Sequence, residues 1–153
     1  MAYADILRAT TADFADAATL IEGQLITSAS YGNIGLGLTT TLSSYAALGV
    51  ASISLTLPAS AKAIIMASAS VSLSVNTNYV ELGISVDSTT VITSARALYR
   101  EGNANGSGYN TTLPIFLIHA SGTGAHTYRI LWKVNSGTAY CNDAQIHGLV
   151  LRA

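Results

Sequence analysis

Two histidines seven residues apart make the most chemical pattern in the chain. They lie in "LPIFLIHASGTGAHTYRILWKVNSG", with His119 before a Gly-rich break and His126 after it, and the second half also holds the only tryptophan, Trp132, with Arg129 and Lys133. If residues 121–124 form a four-residue hairpin loop, His119 faces His126 across the ladder. Strand alternation then groups Ile115, Leu117 and His119 with His126, Tyr128, Ile130 and Trp132 on one face. Two facing imidazoles can bind a transition metal, or resist double protonation below pH ~6.5. A zinc site takes four ligands, or three and a water, and no Asp, Glu or Cys lies in this hairpin to complete the set. Neutral imidazoles packed on each other are the expectation, with no metal and no cofactor.

Other catalytic patterns are missing from the sequence. No serine sits in a G-x-S-x-G elbow, and "GLG" at residues 35–37 lacks the strand-to-helix context of a dinucleotide fingerprint. Beyond residue 24 the acidic residues are Glu81, Asp87, Glu101 and Asp143, none forming a sequence-local pair of the kind a glycosidase uses. An enzyme is therefore not expected. The Gly/Asn-rich run "REGNANGSGYNTT", residues 100–112, reads as an exposed loop. Tyr99, Arg100, Tyr109 and Asn110 bracket it, and their aromatic, cationic and amide groups are the candidates for contact with a sugar. Asn105-Gly-Ser and Asn110-Thr-Thr also match glycosylation acceptors.

Strands must position these groups. "ASISLTL" alternates strictly, with Ile53, Leu55 and Leu57 on one face and Ser52, Ser54 and Thr56 on the other; "SVSLSV" repeats the pattern. "YVELGISV" and "TTVITSARAL" follow, parted by Asp87 and Ser88 at a hairpin turn. "LPIFLIHA", "AHTYRILWKV" and "AQIHGLVLR" close the chain. Seven or eight strands at regular spacing predict an all-β antiparallel jelly roll or sandwich over residues 25–153. The first 24 residues differ: Thr10 with Asp13 fits a capping box, Gly23 fits a C-terminal cap, and Leu7, Phe14 and Ile21 recur every seven residues. They predict a short helical segment, either a small helical seam between chains or one amphipathic helix lying against its own domain.

Composition sets the social state. Half of the 153 residues are hydrophobic and only 10% are charged, against roughly 25% in ordinary domains. Residues 23–61 carry no charge at all. A membrane span is rejected because residues 36–55 include seven Ser or Thr and are interrupted by Gly37 and Gly49, whereas a spanning helix wants about twenty predominantly apolar residues. Nucleic acid is rejected because net charge is −1 and no basic patch stands out. The lone Cys141 makes no intrachain disulfide and is expected as a small buried hydrophobe. Strands 113–120 and 125–134 are apolar on both parities. A sheet normally keeps one wet face, so a second subunit is the simplest cover. Tyr128, Ile130 and Trp132, with His119 and His126, are the expected seam with that subunit.

The stretches "ADFADAATLIEGQLI", "SISLTLPASAKAIIMASASVSL", "YVELGISVDS", "LPIFLIHASGTGAHTYRILWKV" and "IHGLVLRA" together resemble the small jelly-roll virion proteins of tailed bacteriophages: capsid decoration proteins, head fibres and tail-fibre tips. The "GTGAHTYRILW" stretch and the short final strand are similar to trimeric heads of the tumour-necrosis-factor or C1q shape. The resemblance covers most of the chain from about residue 50. It implies a homotrimer on the particle surface, made in the host cytoplasm, whose N-terminal segment contacts the major capsid protein or another virion protein. Leu7, Phe14, Leu20 and Ile21 are the apolar residues available for that contact. A decorating or head-fibre protein is the first expectation. The alternative is the tip of a tail fibre that binds a host-surface glycan, and a soluble trimer of the C1q shape is a third.

Overall fold

The computed structural model describes residues 25–33, 36–74, 78–100, 110–120 and 122–152. Among them are nine strands: β1 (Leu25–Asn33), β2 (Leu38–Thr40), β3 (Ala46–Leu57), β4 (Ala61–Leu73), β5 (Tyr79–Val86), β6 (Val91–Arg100), β7 (Thr111–His119), β8 (Gly124–Val134) and β9 (Ala139–Arg152). The predicted N-terminal helix, with Leu7, Phe14, Leu20 and Ile21, lies outside the described residues.

Two antiparallel sheets form. One runs β1-β9-β4-β7, with β2 extending the β1 edge along β9; the other runs β3-β8-β5-β6. Each sheet interleaves early strands with late ones, which is the double Greek key of a jelly roll. The all-β antiparallel expectation holds. β1 enters beside the end of β9, Leu25 pairing with Leu151, and β4 begins opposite Arg152 at Ala61.

Alternation builds the core. Ile53, Leu55 and Leu57 point inward while Ser54 and Thr56 stay exposed. β4 contributes Ala61, Ala63, Ile65, Ala67, Ala69, Val71 and Leu73 from the facing sheet. Val80, Leu82 and Ile84 of β5 and Ile130, Trp132 and Val134 of β8 fill the space opposite. Small residues on β4 and β9 accept large ones from the other sheet, as close packing requires. Gly148 shows the tolerance: a Cβ there would lie 2.6 Å from the Cδ1 atoms of both Ile53 and Leu55. Cys141 is buried, and burial pushes its thiol up to about 11.

Two expectations need correction here. β7 and β8 are not a hairpin: β7 pairs with β4, and β8 pairs with β3 and β5 in the opposite sheet. Parity had correctly grouped Ile115 and Leu117 with Tyr128, Ile130 and Trp132, but they meet across the core rather than along a ladder. For the same reason Tyr128 and Ile130 are fully buried and Trp132 is 3% exposed within one chain. They have no surface to offer a trimer partner, because the other sheet of the same chain already covers them.

Candidate functional site on the outer face of the five-stranded sheet

The second apolar parity is genuine on β7. Phe116 is 52% and Ile118 is 55% exposed. Register places Ile118 beside Ile64 and Leu149, and Phe116 beside Met66 and His147. Ile64, Ile118, Leu149, Phe116 and the exposed Met66 form an apolar surface at one end of the sheet, with His147 at its margin. On β8 the corresponding outward residue, Leu131, is buried within the chain.

Further along the same face the lining turns polar. A groove of about 600 Å³ is bordered by Gly32 of β1, Ser68 and Ser70 of β4, Thr112 of β7, and Asp143 and Gln145 of β9. A β-bulge shapes it. The register shifts between Ser70 and Val71, leaving Asn142 of β9 as the extra residue, and bulges commonly re-aim a neighbouring side chain. The bulge is tied down on both sides: the Leu36 N–H donates to the Asn142 carbonyl at 2.6 Å, and the Asn142 Nδ2 donates to Asn110 Oδ1 at 3.1 Å. The Cys141 thiol donates to the Asp143 carbonyl at 3.4 Å, and Gln145 Nε2 donates to Ser68 Oγ at 3.0 Å across the groove. Tyr140, 41% exposed, lies one register row beyond, opposite Ser72.

The two histidines do meet, at the opposite end of β7. Their ring centroids are 4.9 Å apart, edge to face, one ring from each sheet. His119 Nδ1 lies 2.8 Å from the buried Tyr128 hydroxyl. His126 Nδ1 donates to Asp87 Oδ2 at 2.6 Å, and the Thr127 N–H donates to Asp87 Oδ1 at 2.7 Å. Asp87 takes φ of 54° in the β5–β6 turn to do this. The Thr127 N–H first, and the His126 bond second, hold the Asp87 carboxyl below its usual range. Burial, then the nearby His126, hold the His119 imidazole down. A carboxylate-oriented imidazole is half of a general-base pair, but His126 Nε2 is buried with no hydrogen-bond partner. No cluster of three or more His, Cys, Asp or Glu among the described residues is placed to hold a metal ion.

A third polar cluster occupies the outer face of the other sheet. The Tyr45 hydroxyl donates to Glu81, Lys133 Nζ lies 3.0 Å from the same carboxylate, and Arg96 lies 3.4 Å from it. Burial pushes the Glu81 carboxyl up, yet those hydrogen bonds and cations outweigh it and hold the group below its usual range. Lys133 also sits 4.7 Å above the Tyr45 ring. A buried carboxylate needs such partners, so this cluster reads as a fastening of β5 to β6, β8 and the residue before β3.

Of the residues expected at a sugar, Tyr99 packs against the core and Asn110 reaches the groove's edge through Asn142. Tyr109 and the Arg100 side chain lie outside what the structure describes. The groove residues Ser68, Ser70, Thr112, Asp143 and Gln145 were not anticipated. Their signals were present: outward serines in "SASVSL", and the strand-averse pair Asn142-Asp143 inside a strand-like run.

No protein-family model matches the chain, and no curated protein matches it in sequence. Solved structures do match in shape. The VP2 subviral particle of infectious bursal disease virus superposes with a TM-score of 0.53 at 10% identity, over 82% of this chain and 33% of that one. T=1 particles derived from the same virus give 0.51 at 8% identity, over 84% of this chain and 37% of that one. The tripod from the baseplate of bacteriophage Tuc2009 gives 0.43 at 17% identity, over 94% and 69% of the two chains. The first two likenesses put the fold of a virus-particle protein on this chain. The chain spans about a third of the length of those two proteins.

Proposed function

We propose that this chain is a structural protein of a bacteriophage virion, a homotrimeric jelly roll that decorates the capsid or forms a short head fibre. The observation that carries the reading is the outward apolar surface at Ile64, Met66, Phe116, Ile118 and Leu149 on a sandwich whose own core is already filled. Contiguous exposed apolar surface of this kind marks an interaction site. The fold shared with a virus-particle protein supports the same assignment, as does the sequence resemblance to phage virion proteins. The N-terminal 24 residues would supply the contact with the major capsid protein or a neighbouring virion protein.

Light scattering during size exclusion tests it. The full chain is expected to elute as a trimer, and Phe116→Asp with Ile118→Lys to elute as a folded monomer. A wild-type monomer at micromolar concentration, or a trimer unchanged by both substitutions, overturns the proposal.

The polar groove favours a second reading, the receptor-binding tip of a tail fibre. Three copies per trimer would add avidity to weak single contacts.

A further inference from the structure

We infer that the groove on the five-stranded sheet is a binding site for an uncharged saccharide. The inference rests on the receptor-binding reading and gives it a site and a ligand chemistry. Besides Gly32 and Ala144, the described residues lining the groove carry hydroxyl, amide and carboxylate groups: Ser68, Ser70, Thr112, Gln145 and Asp143. Such a set can donate to and accept from the vicinal hydroxyls of a sugar ring. None of these described residues is a cation, so none of them pairs with a phosphate, sulfate or sialic carboxylate. The volume, about 600 Å³, falls in the usual ligand-site range of roughly 300–1,000 Å³.

The site is also built rather than incidental. Its floor is four hydrogen-bonded strands, so little ordering cost attends binding. The β9 bulge fixes Asp143 through the bonds at Asn142 and Cys141. Tyr140 stands exposed one row along the same face, where its ring can lie against the apolar face of a second sugar unit. Gly32 leaves the β1 side open: a Cβ there would make only ordinary contact, 3.7 Å from Gln145 Cβ. A larger side chain at Gly32 therefore fills the groove without straining the sheet.

The test is an array of neutral and anionic bacterial surface saccharides probed with the full chain, followed by titration of the retained ligands. Neutral saccharides are expected to bind, with affinity at least tenfold weaker in Gly32→Leu and Gln145→Ala and severalfold weaker in Tyr140→Ala, while melting curves stay unchanged. Binding that survives Gly32→Leu but is lost in Tyr109→Ala overturns the groove and leaves the receptor reading standing. Retention of anionic saccharides alone overturns the ligand chemistry. No binding to any saccharide overturns both the groove and the receptor reading.

Discussion

Burial and a neighbouring imidazole hold His119 below its ordinary pKa of 6.5, and the sign of the consequence is fixed. The folded chain keeps His119 neutral while the unfolded chain accepts a proton near pH 6.5, so acid favours unfolding. Stability is lost as pH falls from about 6.5 towards the depressed folded value, and is constant below it. Asp87, also depressed, contributes its share above its unfolded value of 3.8 and loses it as pH falls lower still. Thermal melts between pH 8 and pH 5 should show this decline, and His119→Phe should flatten it. The same variant should cost about 1–3 kcal/mol at pH 8, because the buried Tyr128 hydroxyl loses the ring nitrogen it meets. A flat wild-type profile refutes the argument. The sequence placed His119 opposite His126 on a hairpin ladder that does not form; they meet instead because β7 and β8 lie in opposed sheets. Asp87 as the third member was not legible, since a residue 39 positions away from His126 joins it only through the β5–β8 pairing. Tyr99 alternates with exposed Leu98 and so packs partly against the core.

Strand faces were readable where polar and apolar residues alternate, as in β3 and β4, but sheet membership was not. Parity says which side of a strand is buried; it does not say which strand lies beside it. β7 and β8 could bury the same residues either as ladder neighbours or as opposed layers, and the jelly-roll connection chooses the second. β1 and β2 escaped notice because "LITSASYGN" and "LTT" bring few large apolar residues to the core. The opposed layers press closely at β9, which yields a prediction. Gly148→Ala must displace Ile53 and Leu55, an overpacking change that should cost about 1–3 kcal/mol. Urea midpoints measure it. Gly83→Ala on β5 would meet the stiff Val91 side chain in the same way, whereas Gly32 has room. An unchanged midpoint for Gly148→Ala would mean that the sheets separate more easily than this packing implies.

The whole molecule carries more apolar surface than one sandwich can hide, and that excess was plain in the composition. What composition left open was its location, since β8 was as good a candidate as β7 until the facing sheet claimed Tyr128, Ile130 and Trp132. If three copies cover the exposed rows of β4, β7 and β9, the melting temperature must rise with protein concentration. Melts over a hundredfold dilution series check this, and the Phe116→Asp, Ile118→Lys variant should lose the dependence. The pairing of Leu25 with Leu151 has a geometric result for anything joined to the domain. Backbone enters and leaves at one pole, while Gly32 sits seven residues up β1, about 23 Å away at 3.3 Å per residue. A carrier joined directly at Leu25 or Arg152 would therefore attach at the pole away from the groove.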